Sequence, residues 1–507
     1  MIKRIISAIL VVALGLSLNF ISGCGKKDDT TNNSSPDMTQ SSSESQMGFD
    51  VDTNGNTATS SEVYKNVISG VTDLTNINNN KDYTGRVTDL KGKTVKIQSW
   101  GTGSTAIYGT GIIAQRANNL ISSIEKTLNC KIEIITEISD QATASALASG
   151  KPPADIIYLS KNNLLTQYRY NRLVALDELK VFDFSDRSSF TNATELAKFN
   201  GKYYAIAPRT YGTVSFMTGT VIFANIDVLK KSGVTVSDLT KWVSNKEWTW
   251  DKMREVAEKV KAAGYTFLND GNTLADNERE HSLYQALVNS NGVDWLAQED
   301  DKLVFCGDQQ KQIAALDFYK EMYNNGYVKQ VDSAVNKFSE GKTAMLSAAM
   351  YTAKHNERSV SWGNYTILPV PIGPDANDYT YASGDYSFAG IAKGTKPSGL
   401  NDAEIATVLN LMNTCLINES ENNSLVVSES IAWAKDSLAQ QTVKMYSNLN
   451  AENKFNVTWS GLVTARTKGN NNWIELVFDF ALGNLSKQQI LAQKSSIKAN
   501  LETFFDQ

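Results

Sequence analysis

Strand-like and helix-like patterns alternate along most of this chain, and that alternation narrows its fold more than any other feature. Lys93-Thr94-Val95-Lys96-Ile97-Gln98-Ser99-Trp100 alternates apolar and polar residues with the period of a strand. A helical pattern follows at about 112–129, then a strand over Lys131–Thr136 and a short helix over 141–149. The apolar strand Asp155–Leu159 comes next, bounded by Pro152-Pro153 and Ser160. Strands separated by helices of these lengths predict βαβ units around a mainly parallel sheet.

A second region of the same kind opens at Val221-Ile222-Phe223-Ala224-Asn225. Met253, Val256, Ala257, Val260 and Ala263 share one helical face, with Thr249 as N-cap and Gly264 as stop. Ile313, Leu316, Tyr319 and Met322 form another such face before Gly326. Tyr365–Pro371 predicts a strand ended by prolines, Ser387–Ala392 a short strand, and the chain from about 401 onward is largely helical. No repeat at a solenoid period is present. At 507 residues the chain exceeds the roughly 250–300 that one core supports, so two lobes are expected. The strand-rich segments near 203–225 and 365–392 are the expected crossings between them.

The first residues concern compartment rather than fold. Lys3 and Arg4 precede an apolar run from Ile5 to Ile21, and Ser22-Gly23-Cys24 follows. A basic start, an apolar stretch and small residues before a cut describe a secretory signal peptide. The run is short for a spanning helix of about 20 residues, and Ser17 and Asn19 interrupt its end. Cys24 at the cut resembles a bacterial lipobox, whose cysteine takes a diacylglycerol and becomes the new N-terminus. From Gly25 to about Glu62 the chain is Ser, Thr, Asn, Asp and Gln with almost nothing to bury, as in a flexible tether. The Asn-rich stretch 63–92 reads as a weakly ordered approach to the domain.

Composition removes several functions. With 49 Lys+Arg against 54 Asp+Glu the net charge is −5, and no basic stripe for nucleic acid is visible. His281 and His355 are the two histidines, far apart, which disfavours His-based zinc sites and a Ser-His-Asp triad. Cys130, Cys306 and Cys415 are odd in number and widely spaced, so they read as small buried hydrophobes rather than a disulfide framework. Gly101-Thr102-Gly103-Ser104 lacks the third glycine of a dinucleotide fingerprint and the Lys of a P-loop. Asp300-Asp301 and Asp270-Gly271-Asn272 are not spaced as a calcium loop and read as solvated turns. No cofactor and no metal are expected.

Five phrases in order resemble one family. They are Phe199-Asn200-Gly201-Lys202-Tyr203-Tyr204-Ala205-Ile206-Ala207-Pro208, then Phe223-Ala224-Asn225-Ile226-Asp227-Val228-Leu229-Lys230-Lys231-Ser232-Gly233, and Trp248-Thr249-Trp250-Asp251-Lys252-Met253. Phe338-Ser339-Glu340-Gly341-Lys342-Thr343-Ala344-Met345 and Gly483-Asn484-Leu485-Ser486 complete the order. Together with the lipobox they are similar to the extracellular solute-binding proteins of ABC importers, carbohydrate-type family 1, like the maltose-binding proteins. The likeness covers roughly 93–507. Phe223-Ala224 departs from the family's aromatic before Asn225, and Val214–Thr220 adds polar and Gly residues before the crossing strand.

The resemblance implies an α/β, two-lobed periplasmic-binding-protein-like fold of class II. Two mixed, mainly parallel sheets would be flanked by helices, with a hinge between the lobes. The expected organisation is a lipoprotein signal peptide over 1–23, a Ser/Thr/Asn-rich tether over 24–92, and a first lobe over 93–220 that returns over 378–420. The second lobe takes 221–377, and the helices of 421–507 belong mainly to it. The implied function is capture of a sugar or oligosaccharide by a monomer, lipid-anchored through Cys24 on the extracellular face of the cell membrane. It would deliver that sugar to ABC permease subunits, with no catalytic residue and no nucleic acid partner.

A sugar site needs aromatic faces for C–H surfaces and a few fixed polar groups for hydroxyls. Open α/β sheets hold ligands beyond the carboxyl ends of their strands. That rule selects Trp100 and Gly101 after the first strand, Ser160 with Lys161 after the third, and Tyr211 after Tyr203–Pro208. It adds Met350 and Tyr351, which follow the Gly341–Met345 segment taken as helical, and Gly384, Asp385 and Tyr386 before the return strand. Trp459, and below it Trp433, lie in the late segment that reaches the rim of the second lobe. Trp242, Trp248, Trp250, Trp295 and Trp473, on helical segments, are assigned to the core. The competing reading is a secreted glycoside hydrolase, which needs only a carboxylate pair in a cleft. Eight βα units closing a barrel are not evident, and the paired lobes favour binding.

Overall fold

The structure, a computed structural model, describes residues 85, 87, 89–98, 112–135, 138, 140–185, 192–207, 219–271, 282–299, 302–353, 362–383, 387–414, 434–451, 455–457 and 473–502. The first sheet has the order Ser387–Ile391, Ile156–Ser160, Thr94–Gln98, Lys131–Ile135. The last three strands are parallel, and Ser387–Ile391 runs antiparallel to Ile156–Ser160. Val95, Ile97 and Ile156 share one core with Leu120, Ile124 and Leu128 of helix Ile112–Leu128 and with Ile405 and Leu409 of helix Asp402–Thr414. Helix cover on the sheet is why Ile156–Leu159 is continuously apolar rather than alternating.

The second sheet has the order Val328–Val331, Thr266–Gly271, Thr343–Ala349, Thr220–Asn225, Tyr365–Leu368. It is mixed: the first three strands are parallel, and Thr220–Asn225 runs against both of its neighbours. Every residue of Thr220–Asn225 and Thr343–Ala349 is buried, so these strands form its middle. Helix Trp250–Ala262 lays Trp250, Met253, Val256, Ala257 and Val260 into the core. The Thr249 hydroxyl accepts from the Lys252 N–H at 3.3 Å, and Gly264 at φ +83° ends the helix as its sequence predicts.

Three sequence expectations are corrected. Gly341–Met345 is not helical: a short helix over Ala334–Ser339 stops, and Thr343–Ala349 is a central strand. Its small residues fit a strand pressed between two others, where packing overrides helix propensity. Asp270-Gly271 is no solvated turn but the buried end of Thr266–Gly271, a strand that the alternation did not reveal. Tyr203–Ala207 is not one strand: Lys202–Tyr203 forms a two-residue strand, and Ile206 makes a lone bridge to Ala389.

The tryptophans assigned to the core are inside. Trp248, Trp295 and Trp473 are fully buried, Trp250 nearly so, and Trp242 is half-buried beneath the Lys252 ammonium at 5.2 Å. Packing also starts ahead of Lys93. Leu90 is 1% exposed and donates its N–H to Leu128 O at 2.7 Å, and the Val87 N–H reaches Thr407 Oγ1 at 3.2 Å.

The return path is stapled to the second sheet's helices well beyond Leu368. Trp248 Nε1 donates to Pro369 O at 2.9 Å, and Ile372 bridges Thr249. Asn291 and Asp375 exchange two hydrogen bonds, at 2.8 and 3.0 Å. Tyr379 Oη donates to Val243 O at 3.2 Å and Thr380 Oγ1 to Asn289 O at 2.9 Å. Tyr381–Ser383 then pairs in parallel with Phe455–Val457 before the chain re-enters the first sheet at Ser387.

Candidate functional site

Strand direction defines one edge of each sheet. In the first, Gln98, Ile135 and Ser160 are the carboxyl ends of the three parallel strands. Ser387 pairs with Ser160, so the antiparallel return strand begins at that same edge. In the second, Gly271, Val331, Ala349 and Leu368 are carboxyl ends lying together, and Thr220 pairs with Ala349 there. The first crossing leaves past Ile206, which runs antiparallel to Ser387–Ile391 and so toward the Ser387 edge, and it arrives at Thr220. The second leaves from Leu368 and arrives at Ser387. Both connections therefore join carboxyl edge to carboxyl edge, the edges at which open α/β sheets hold ligands.

Four of the candidate residues lie among the described ones, and Lys161 is the first residue of helix Lys161–Arg169. Ser160 is the N-cap of helix Lys161–Arg169, and its Oγ accepts from the Asn163 N–H at 3.3 Å. That bond uses a lone pair and leaves the hydroxyl hydrogen to donate. Met350 is fully buried in the core beside Phe338, Trp362 and Tyr365, and its N–H donates to Gly219 O at 2.9 Å. Tyr351 is half-buried against the same cluster. Trp100, Gly101, Tyr211, Asp385, Tyr386 and Trp459 lie outside the described residues, as do Gly384 and Trp433. The strands that flank them do not: Gln98 ends two residues before Trp100, and Ser387 begins immediately after Tyr386.

Two polar residues at these edges escaped the sequence reading. Gln98 is 4% exposed, and its Nε2 donates to Thr143 Oγ1 at 2.7 Å. In an alternating strand a glutamine suggests a solvent face, but helix Asp140–Ala148 brings Thr143 over it. Asp270 is buried at the end of its strand. Its Oδ1 accepts from the Leu283 N–H at 3.1 Å, and its Oδ2 accepts from Tyr319 Oη at 2.7 Å and Tyr323 Oη at 3.4 Å. Burial foremost, and then the Asp270 carboxylate, push both phenols well above their usual range, so they remain donors at any physiological pH. The helical spacing of Tyr319 and Tyr323 was the available signal, since i and i+4 share a face.

Among the described residues no group of three His, Cys, Asp or Glu is placed to hold a metal. Cys130 and Cys306 are buried, and burial, aided by Glu125, pushes the Cys130 thiol up to about 11, which makes it a poor nucleophile. No helix among the described residues is long and apolar enough to cross a membrane.

The sequence profile of the bacterial extracellular solute-binding proteins matches residues 116–409, more than half of the chain. The chain belongs to that family. No curated protein sequence matches it. Solved structures of similar fold include the GacH receptor of Streptomyces glaucescens, determined unliganded and with acarbose. It is 15% identical, with a TM-score of 0.53 over 81% of this chain and 98% of that one. The cyclic alpha-maltosyl-1,6-maltose binding protein of Arthrobacter globiformis is 11% identical, with a TM-score of 0.59 over 81% and 99%. The galacto-N-biose-/lacto-N-biose I-binding protein of Bifidobacterium longum is 14% identical, with a TM-score of 0.57 over 82% and 98%. These likenesses establish the two-lobed periplasmic-binding-protein-like fold expected from sequence. In this extracellular solute-binding protein both connections between the two sheets run from carboxyl edge to carboxyl edge.

Proposed function

We propose that this protein captures a sugar or oligosaccharide between its lobes and delivers it to the permease subunits of an ABC transporter, anchored to the membrane through a lipid on Cys24. One observation carries the binding reading: both crossings connect the carboxyl edges of the two sheets. A ligand held there touches both lobes, so closing about the crossings encloses it, a transition of the hinge kind. The sugar class is supported by the solved neighbours, whose bound or named ligands are oligosaccharides, and by the aromatic residues near these edges.

In this reading Trp100, Tyr211, Tyr351, Tyr386 and Trp459 supply stacking faces and Asp385, Ser160 and Gly101 polar contacts, with Met350 behind them. The first lobe is built on the first sheet and the second lobe on the second sheet, with most of 421–507 added to the second. The test is a thermal-shift screen of mono- and oligosaccharides, because a ligand that binds only the native state raises its melting temperature. A rise with at least one sugar, and no product from aryl glycosides or polysaccharides, supports capture. Turnover of any glycoside would replace it with hydrolysis.

A further inference from the structure

The ladder between Thr220–Asn225 and Tyr365–Leu368 stops one hydrogen-bonded pair early. Tyr365 faces Asn225, Thr366 faces Ala224, Ile367 faces Phe223 and Leu368 faces Ile222. The same register sets Asn364 against Ile226, and the Ile226 N–H donates to Asn364 O at 3.0 Å. In an antiparallel pair, bonded positions recur at every second residue. Val370 therefore falls opposite Thr220 as the next bonded position, and its N–H would donate to Thr220 O. Instead the Tyr446 hydroxyl stands between them: it accepts from the Val370 N–H at 3.2 Å and donates to Thr220 O at 2.8 Å. A single rung is about 2.9 Å from N to O, so the inserted oxygen spreads the strands to roughly twice that.

Tyr446 is held for this task. It lies on helix Ser437–Ala451 and is completely buried, and burial keeps its phenol protonated far above the usual range. One turn earlier the Thr442 hydroxyl donates to Ile367 O at 2.8 Å, which docks the helix on the edge strand. Thr220 is the first strand residue after the crossing from the first lobe. On its other side the ladder runs on, through the Thr220–Ala349 pair to the Met350 N–H on Gly219 O. The chain therefore enters the second sheet zipped on one side and wedged open on the other.

We propose that Tyr446 is a positioning residue for ligand capture. Its hydroxyl sets the direction in which the crossing leaves the second lobe, and through it the balance between open and closed lobes. This rests on the capture reading for its effect on affinity but not for its effect on geometry. In Tyr446→Phe the oxygen is lost while the ring still fills its site. Val370 and Thr220 can then close the missing rung directly, which draws Thr220 toward the edge strand and turns the crossing.

The experiment measures the spacing between lobes in the unliganded full-length protein. Spin labels carried by unnatural amino acids at exposed Lys126 and Lys259 are read by pulsed electron resonance. Alongside, calorimetric Kd values are taken for maltotriose, acarbose and lacto-N-biose. Tyr446→Phe should shift or broaden the interlobe distance. It should change every measurable Kd by one common factor, about 3- to 10-fold, because a conformational population scales all ligands alike. Thr442→Val, which loosens the same helix without touching the wedge, should leave the distance unchanged. A folded Tyr446→Phe with wild-type distance overturns the proposal, as does a Kd change that differs from sugar to sugar at unchanged distance. If the wild type binds none of the sugars the capture reading loses its support, while the distance measurement still judges the wedge. Should Tyr446→Phe not fold, amide exchange of the wild type decides. Exchange at Val370 as slow as at Leu368, the preceding bonded position, upholds a closed wedge, and exchange typical of an open loop overturns it.

Discussion

The Asp155 carboxylate accepts from Ser398 twice, from its Oγ at 2.7 Å and its N–H at 3.2 Å, across a sequence separation of 243. Its other oxygen accepts from the Lys96 N–H at 2.7 Å. One fully buried side chain thus joins the first strand of the first sheet to the segment that follows the return strand, with the whole second sheet inserted between them in sequence.

Asp155→Ala leaves the half-buried donors of Lys96 and Ser398 without this partner. An unsatisfied buried group costs about 1–3 kcal/mol, so the loss should be about 2–3 kcal/mol. Asp155→Asn, which keeps an acceptor, should lose about half of that. Urea unfolding followed by circular dichroism checks both. Equal midpoints for wild type and Asp155→Ala would show that the tie is replaced by water.

Leu90 is a core residue in front of the first strand. A chain beginning at residue 84 should melt like the full-length protein, because the Ser/Thr/Asn-rich stretch before it has little to bury. A chain beginning at Lys93, or Leu90→Ala, should lose about 2–3 kcal/mol, the low end for a buried leucine. Melting temperatures of the three proteins decide the boundary.

Alkali should unfold this protein cooperatively. Burial raises the phenol pKa values of Tyr284, Tyr319, Tyr323, Tyr379 and Tyr446 above the ordinary 10.0. A raised folded value means that the unfolded chain releases its protons first. The stabilisation is complete below pH 10.0 and declines above it, by about 1.4 kcal/mol per pH unit for each phenol still protonated only in the fold. Urea midpoints should be level from pH 8 to about 9.5 and then fall steeply, with phenolate absorbance appearing together with unfolding. Phenolate that develops well before unfolding would mean that these hydroxyls reach solvent.

Trp100→Ala and Asp385→Asn should each weaken sugar binding and leave the unliganded melting temperature within about 1 °C. Stacking contributes about 0.5–1.5 kcal/mol beyond area burial, and a hydrogen bond to a charged acceptor about 1.5–3 kcal/mol. Calorimetric titration and melts on the same samples separate a site residue from a core residue. Destabilised Trp100→Ala with normal affinity returns that tryptophan to the core.

If Cys24 carries the proposed lipid anchor, Cys24→Ala should accumulate as unprocessed precursor or leave the membrane fraction. Processed mutant protein that still partitions with detergent would disprove the lipid attachment.

Local pattern determined a good deal here. Period-2 alternation in Lys93–Gln98, the apolar run after Pro153, and the Thr249 cap with its one-faced helix are properties of neighbouring residues, and each forms as its sequence dictates. The strands Thr220–Asn225 and Tyr365–Leu368 were legible for the same reason, since short apolar runs bounded by glycine or proline stand out in a chain of helices. Thr343–Ala349 was not legible, because its alanines suit a helix until two strands flank it and bury both faces. Asp270 was read as solvated and Gln98 drew no notice, because a polar side chain gives no local sign that a distant threonine or pair of tyrosines will cover it. The site edges and the Tyr446 wedge lie furthest from the sequence. They exist where strands hundreds of residues apart come into register, and register is set by packing between sheets and helices rather than by any segment alone.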